Sequence, residues 1–278
     1  MVKIAIAGGS SGVGQEIVED LVAAKKHEIL LLTRKFPDGT EPAQDGVTWV
    51  HADYGDVSQL ASLLQGVHTV LSFVIPSINT TGKSDEQKNL VDAAIRAGYK
   101  KPMREYLEEV NKDARVLEYC LFQPGFFTNY LVHPRRTTKH LQTLELNLDF
   151  PNRRAIVAEG SENSHITLTT VRDLAAVVAL AVEYPGEWPV VGGIRGEHMT
   201  LAWNDLEAGI LKSSWRPEPD HPAVPKNMTE AEKDFVPARF AMNIKAEVLA
   251  SSDEWNRLLP DYKFTKVEEF IRGIVGQK

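Results

Sequence analysis

Short apolar runs and helical patterns alternate along the first hundred residues of the chain. The apolar runs are KIAIAG (3–8), EILLLTR (28–34), VTWVHAD (47–53) and HTVLSFV (68–74). Nearly continuous apolar runs of this kind are typical of parallel strands that are covered on both faces. Residues 11–26 and 57–66 lie between these runs and carry apolar positions at helical spacing. The alternation predicts an α/β fold with a Rossmann-type, doubly wound parallel sheet.

A further helix is predicted over residues 84–98, and the alternation stops after it. Ser84 and Gln87 form a capping box at its start, and Gly98 is a suitable end. The next helical pattern begins at Pro102, and the few residues between cannot carry a crossover back to the sheet. Either the sequence lacks residues of the intact protein, which the regular patterns on both sides favour, or the sheet lacks its fifth strand.

The second half of the chain is less regular. Residues 115–127 (RVLEYCLFQPGFF) predict a core strand that enters a loop, and a strongly apolar helix starts near Arg172. Periodicity weakens from Gly186 onward, which indicates an irregular lobe. We therefore expect an NADP-binding Rossmann domain over residues 1–150. A mixed, helix-rich substrate lobe over residues 151–278 would be interleaved with it.

A glycine-rich loop, AGGSSGVGQE, joins the first predicted strand to the first predicted helix. In this context Gly8 allows a tight turn, Gly12 allows the backbone to approach a pyrophosphate, and Gly14 permits close helix–strand packing. The phosphates would rest on the amides and positive dipole end of the helix. The expected cofactor contacts in this loop are Gly8, Ser10, Ser11, Gly12, Val13 and Gly14. A purely structural glycine turn is the alternative.

The end of the second strand indicates which dinucleotide binds. NAD-binding proteins place an acidic residue here for the ribose 2′-hydroxyl, whereas a 2′-phosphate needs a cation. This chain has Thr33, Arg34 and Lys35 at that place, and a guanidinium can grip the phosphate while stacking on adenine. The sequence thus predicts NADP(H), with a solvated pair of charges as the alternative. Asp53 is expected either to face the adenine edge or to serve as a turn residue.

Composition narrows the classes of function and location. The net charge of −7 gives no overall field that attracts nucleic acid or an anionic membrane. No stretch approaches the ~20 apolar residues of a membrane-spanning helix, and MVKIAIAGG lacks the features of a signal peptide. A lone cysteine, Cys120, cannot form an internal disulfide. We expect a cytoplasmic protein with no metal site and no nucleic-acid or membrane partner.

The catalytic pair of common short-chain dehydrogenases, Tyr-x-x-x-Lys, occurs only at Tyr262 and Lys266, too near the C-terminus. Catalysis must therefore use other residues. The segments GGSSGVG, LLTRK, HADYGD, SDEQKNLVDAAIRAG, YKKPMREYLEE, FQPGFFTNYL and LLPDYKFTKVEEF appear in this order. In these segments the chain resembles the NmrA-like, isoflavone-reductase-like family of atypical short-chain dehydrogenases, especially its fungal members.

The resemblance implies a set of site residues. Lys100 takes the position of the family's catalytic lysine, and the neighbouring Lys101 would lower its pKa; a solvated Lys-Lys corner is the alternative. The implied nicotinamide-side contacts are Ser72, Phe73, Gln123 and Pro124. Phe126 and Phe127 would line the substrate pocket, although such a pair is more often core. Compared with the family, the chain also lacks most of a helix and its connector after Leu201 and Ala202. This is a second missing segment, in addition to the one after Gly98.

These expectations lead to an NADPH-dependent reductase that transfers hydride to a small aromatic or ketonic metabolite. Two alternatives stay open. Like some members of the family, the chain could be a non-catalytic NADP(H)-sensing protein that contacts a regulatory partner, and a homodimer is also possible. The second alternative, suggested by the two missing segments, is a degenerate gene product that barely folds.

Overall fold

The computed structural model describes residues 1–36, 45–74, 86–96, 118–143, 145–149, 154–156, 158, 160–161, 163–200, 217 and 228–275. The chain divides into two compact units. One contains residues 1–119 and 175–190, and the other contains residues 120–174 and 191–278. The expected domain boundary at residue 150 stays a prediction. The two positions where the chain is expected to lack segments of the family, after Gly98 and after Ala202, lie outside the described residues.

The first unit is built on a four-stranded parallel sheet. Its strands are β1 (Lys3–Ala7), β2 (Glu28–Thr33), β3 (Val47–His51) and β4 (Thr69–Ser72), and they lie in the order β3-β2-β1-β4. All four coincide with the apolar runs of the sequence. The centre of the sheet is buried, as in Ile4, Ile6 and Leu31. This order confirms the predicted α/β fold with a Rossmann-type sheet.

Three helices accompany these strands: α1 (Gly12–Ala24), α2 (Val57–Leu63) and α3 (Glu86–Arg96). Asp56 begins α2, where its carboxylate accepts from the backbone N–H groups of Ser58 and Gln59. Helix α3 lies in the predicted segment. Its expected capping residue, Ser84, lies outside the described residues, and Gln87 accepts a hydrogen bond from the Ser72 hydroxyl at 2.7 Å. The Gln87 amide thus ties α3 to the end of β4.

The second unit contains several short strands. These are β5 (Leu121–Gln123), β6 (Phe126–Phe127), β7 (Leu148–Asp149), β8 (Arg154–Ala155), β9 (His165–Thr169), β10 (Val191–Gly193) and β11 (Glu197–Thr200). They pair as β10-β5, β11-β9-β6 and β7-β8. A 3₁₀ helix covers Thr128–Val132, and the helices are α4 (Val171–Glu183), α5 (Glu230–Lys245), α6 (Glu254–Leu258) and α7 (Val267–Val275). Helix α4 begins one residue before the predicted start and continues into the first unit.

Cys120 lies in the second unit beside Trp255, whose indole N–H points at the cysteine sulfur at 3.4 Å. Burial raises the pKa of this thiol to about 12, so the thiol stays protonated near neutral pH. Among the described residues, no helix is both long and apolar enough to cross a bilayer.

A buried carboxylate holds the C-terminal segment to the start of α4. Asp173 is 2% exposed and accepts hydrogen bonds from the Thr170 hydroxyl at 2.7 Å, the Tyr262 hydroxyl at 2.8 Å and the Thr265 N–H at 3.2 Å. Lys266 donates to the Gly196 carbonyl at 3.3 Å. Tyr262 and Lys266, the apparent Tyr-x-x-x-Lys match, therefore make structural contacts.

Replacing this carboxylate should destabilise the protein strongly. Asp173→Ala leaves buried donors without an acceptor, and we expect a loss of about 3 kcal/mol in the free energy of unfolding. Urea denaturation followed by circular dichroism measures it. Asp261→Ala, which removes an exposed carboxylate next to Tyr262, is the matched control and should change stability by less than about 0.5 kcal/mol. Equal effects of the two substitutions would contradict the structural role of Asp173.

Candidate functional site

The carboxyl ends of the four parallel strands meet at one edge of the first sheet. Ala7 on β1 pairs with Leu32 on β2 and with Ser72 on β4, and Thr33 on β2 pairs with His51 on β3. The chain runs outward from β1 through β2 to β3 and then returns to the other side of β1 as β4. The strand order therefore reverses between β1 and β4. In open α/β sheets such a switch point is where ligands bind.

The first glycine turn at this edge has no space for a side chain. Gly8 has φ +75°, and a Cβ there would stand 2.7 Å from the backbone carbonyl carbon and oxygen of Phe73. A Cβ on Gly14 would overlap the carbonyl oxygen of Gly8. The Phe73 N–H donates to the Ala7 carbonyl at 2.8 Å. The loop after β4 and the start of α1 are thus both packed onto the turn, in agreement with the tight turn expected at Gly8 and the close packing expected at Gly14.

Gly12 is different, because no described atom closely approaches the place where its side chain would start. Its φ is +55°, and no atom of the described residues lies within 4 Å of where a Cβ would be. Helix α1 starts here after Ser11, which makes no capping hydrogen bond through its side chain to the described residues. The first helical hydrogen bond runs from Gln15 to Ser11 at 3.3 Å. The preceding N–H groups at the helix start are therefore suited to an anion such as a pyrophosphate.

The two cations after β2 project from a turn that is fixed by a buried hydroxyl. Thr33 is 5% exposed; its hydroxyl donates to the Lys35 carbonyl at 2.7 Å and accepts from the Lys35 N–H at 3.3 Å. The Arg34 side chain is 68% exposed, and its Nη1 lies 3.6 Å from Oε1 of Glu86. A guanidinium in this position is free to turn towards a ligand at the strand ends, while its backbone stays fixed.

Tyr54 joins the loop after β3 to the neighbouring strands and to α3. Its side chain is buried, and its hydroxyl donates to the Leu32 carbonyl at 3.2 Å. Burial raises the pKa of Tyr54 to about 12, against the opposing effect of Arg34, so the phenol stays a neutral donor. The Tyr54 carbonyl accepts from the Asn89 side chain at 2.9 Å. Sequence reasoning missed this residue; its position in HADYGD was the available signal.

The remaining predicted residues of the first unit lie at the same edge. The Ser72 hydroxyl is directed at Gln87, as described above. Asp53 is exposed and forms a turn: its Oδ1 accepts from the Gly55 N–H at 2.8 Å, and its own N–H donates to Gln59 Oε1 at 2.7 Å. These contacts show the expected turn role of Asp53. Its contact with adenine, and that of Ser72 and Phe73 with the nicotinamide side, stay predictions.

The predicted residues of the second unit lie where β5 passes into β6. The Gln123 carbonyl accepts from the Ile194 N–H at 3.0 Å, Pro124 follows, and Gly125 turns the chain with φ +68°. Phe126 is 7% exposed and packs its ring edge against Phe240. Phe127 is half-buried. The pocket roles of the two phenylalanines and the cofactor roles of Gln123 and Pro124 stay predictions.

The predicted catalytic lysine, Lys100, lies outside the described residues, as does Lys101. In the described part of the chain, no group of three or more His, Cys, Asp or Glu side chains is arranged to hold a metal ion. The described residues at the sheet edge combine the N–H groups at the start of α1 with the exposed Arg34 guanidinium, an arrangement that suits a dinucleotide.

A family model described as NAD(P)H-binding matches residues 8–183. The chain belongs to this NAD(P)H-binding family. Among its relatives, Oxidoreductase BOA1 of Botryotinia fuckeliana (strain B05.10) is 30% identical, with 94% of this chain and 97% of the relative covered. Quinone oxidoreductase 2 of Escherichia coli (strain K12) is 24% identical, with 90% and 86% covered. The family model and the fungal relative confirm the expected membership of an NAD(P)H-binding oxidoreductase family.

Solved structures agree with the fold of this NAD(P)H-binding oxidoreductase. NADPH-dependent quinone oxidoreductase QOR2 from Escherichia coli, complexed with NADPH, has a TM-score of 0.62 at 20% identity and covers 98% of this chain and 99% of its own. AtPrR2 with NADP⁺ and (+)pinoresinol has a TM-score of 0.61 at 16% identity, with 98% of each chain covered. At these identities the likeness shows the fold alone.

The alignment with BOA1 spans 301 positions, more than the 278 residues of this chain, so the relative carries residues that this chain lacks.

A pair of glycine substitutions separates the cofactor role of Gly12 from its backbone role. Gly12 and Gly66 both have positive φ, +55° and +73°, and neither has a described atom within 4 Å of the place that a Cβ would occupy. Gly12→Ala and Gly66→Ala should each cost about 1 kcal/mol of stability through backbone strain. Only Gly12→Ala should weaken NADPH binding, by about tenfold or more, because its methyl group occupies the space next to the phosphates. Thermal unfolding and fluorescence titration measure the two effects.

Gly66 lies in the turn between α2 and β4, at the opposite end of β4 from Ser72. Equal NADPH affinity in the two variants would show that Gly12 serves the turn and not the cofactor.

Proposed function

We propose that the protein is an NADPH-dependent reductase that transfers hydride to a small aromatic or ketonic metabolite. The observation that carries the proposal is the exposed Arg34 guanidinium after β2, at the same sheet edge as the glycine loop and the start of α1. The family membership supports dinucleotide binding and oxidoreductase chemistry; the phosphorylated cofactor and the acceptor class are the parts that we add.

The preference for NADPH rests on charge. A carboxylate at the end of β2 would hold a ribose 2′-hydroxyl and repel a 2′-phosphate. Here the strand ends in Thr33, and the turn that follows presents Arg34 and Lys35. Charge-assisted hydrogen bonds from a guanidinium to a phosphate are about twice as strong as neutral ones. The solved complexes of QOR2 with NADPH and of AtPrR2 with NADP⁺ support the same choice for this chain.

Replacing the guanidinium should change the cofactor preference. Arg34→Gln removes the charge but keeps a side chain of similar length, and we expect NADPH affinity to fall about 10- to 100-fold. NADH affinity should change by less than about twofold, since NADH has no 2′-phosphate. Isothermal titration calorimetry with each cofactor measures both values.

Arg272→Gln is the matched control, because Arg272 is 80% exposed and also pairs with a glutamate, Glu268, at 2.6 Å. It should leave both affinities unchanged. An unchanged NADPH affinity in Arg34→Gln would remove the electrostatic basis of the proposal.

The reduction itself requires a proton as well as a hydride. When bound, the reduced nicotinamide supplies a hydride to an electrophilic carbon of the acceptor. We assign the proton to Lys100 on the resemblance alone. Its ammonium group would donate a proton to the carbonyl oxygen of the ketone or quinone, which becomes negative as the acceptor takes up the hydride. Solvent water would then reprotonate the lysine. A neighbouring cation such as Lys101 lowers the pKa of an amine towards neutrality, which suits this role.

Loss of this proton donor should slow turnover. Lys100→Ala should lower kcat by ~10²-fold with little change in NADPH affinity, given the usual contribution of a general acid. The measurement is NADPH oxidation with a panel of quinones, aromatic enones and ketones. Lys263→Ala, at an exposed lysine, should leave the rate unchanged. An unchanged kcat in Lys100→Ala would rule out the general-acid role.

The same assay separates the enzyme from the alternatives named above. A protein that binds NADPH and NADP⁺ but oxidises NADPH with none of these acceptors would be a dinucleotide sensor. A protein that binds neither would fail as both enzyme and sensor.

A further inference from the structure

Glu86 lies beside the cation that we assign to the 2′-phosphate. It is the first residue of α3, and its Oε1 lies 3.6 Å from Nη1 of Arg34. The side chain of Glu86 is 26% exposed, whereas that of Arg34 is 68% exposed. The carboxylate is therefore the more firmly enclosed member of the pair, and the guanidinium is the member that is able to move.

Two hydrogen bonds fix the first turns of α3 against the strand ends. The residue after Glu86, Gln87, accepts from Ser72 at 2.7 Å, and Asn89 donates to the Tyr54 carbonyl at 2.9 Å. These contacts reach the end of β4 and the loop after β3. Glu86 is thus held at the cofactor edge by its helix and does not depend on Arg34 to stay there.

The surroundings of Tyr54 place Glu86 in the same corner as the glycine loop. The Tyr54 hydroxyl is bonded to Leu32 at the end of β2. Its pKa, raised chiefly by burial, is lowered by Arg34 and by a hydrogen bond with the Gly8 backbone, and is raised by Glu86. The glycine turn, the Arg34 guanidinium and the Glu86 carboxylate therefore all act on the same phenol. A phosphate bound by Arg34 would lie near the negative charge of Glu86.

We propose that Glu86 is a specificity-determining residue that competes with the ribose 2′-phosphate for Arg34, an inference that rests on the proposed NADPH preference. Without the cofactor the guanidinium pairs with the carboxylate. To bind the 2′-phosphate the guanidinium has to give up part of this contact, and the cost of breaking the contact is subtracted from the affinity. Affinity for NADPH is therefore lower than Arg34 alone would give. NADH carries no charge at that place and does not meet this opposition.

The test is Glu86→Gln, which keeps the shape of the side chain and removes its charge. We expect the Kd for NADPH to fall by about threefold to fivefold, in the range expected for releasing Arg34 from one exposed ion pair, and the Kd for NADH to change by less than twofold. The matched control is Glu28→Gln. Glu28 pairs with Lys3 at 3.0 Å at the opposite end of β1 and β2, so its substitution removes the same charge and one ion pair away from the site. It should change neither Kd.

The Arg34→Gln background shows whether Glu86 acts through Arg34. In that background, adding Glu86→Gln should improve NADPH binding by less than twofold. The proposal is overturned if Glu86→Gln gives no gain, if it tightens NADH to the same extent, or if the gain is equal with and without Arg34. Failure of the proposed function looks different: the parent protein would then bind NADPH no better than NADH, and Arg34→Gln alone would have no effect.

Discussion

The close packing of backbone on backbone at the first glycine turn is the constraint on which the cofactor edge depends. A side chain at Gly8 would overlap the backbone of Phe73, and one at Gly14 would overlap Gly8 itself. Only glycine lets the loop after β4 and the start of α1 approach the turn this closely. Because of this approach, the free amides of the helix lie at the point where the strand order reverses. In the proposed binding mode, backbone geometry and helix position therefore hold the pyrophosphate, and the side-chain charge of Arg34 holds the ribose phosphate.

At this edge of the sheet, the charged Arg34 side chain is exposed, whereas the neutral side chains of Thr33 and Tyr54 are buried. Tyr54 is buried, and its pKa of about 12 keeps it a neutral donor to Leu32. Thr33 is also buried and fixes the turn that carries Arg34. Neutral groups can be buried at low cost when they are hydrogen-bonded, whereas an unpaired buried guanidinium would be expensive. The hydrogen bonds of Thr33 and Tyr54 thus fix the backbone at Arg34 before a ligand binds. Less conformational entropy is then lost on binding than if this backbone were disordered in the free protein.

The sheet, the glycine loop and the end of β2 could be predicted because each has a local signal. Apolar runs mark the strands, and glycine and arginine at fixed distances after them mark the edge. The roles of Tyr54, Glu86 and Gln87 could not be predicted, because each depends on a partner far away in the chain. Gln87 illustrates the difficulty: with Ser84 it matches a capping box, yet its amide oxygen accepts from Ser72. A local capping contact and a contact with a distant strand compete for the same amide oxygen of Gln87. The sequence alone does not determine which of the two forms.

The pair Phe126 and Phe127 shows a second limit, which lies in the use of strand geometry as a guide. Both residues lie in β6, which pairs with β9, and successive side chains of a strand point to opposite faces. Phe126 uses its face for the core, where it packs on Phe240 and Tyr130. Phe127 nevertheless contacts the same Tyr130 ring, with ring centroids 6.1 Å apart, and keeps part of its surface exposed. The alternation of side chains along a strand therefore does not decide which ring faces a substrate, and the pocket roles of both phenylalanines stay predictions.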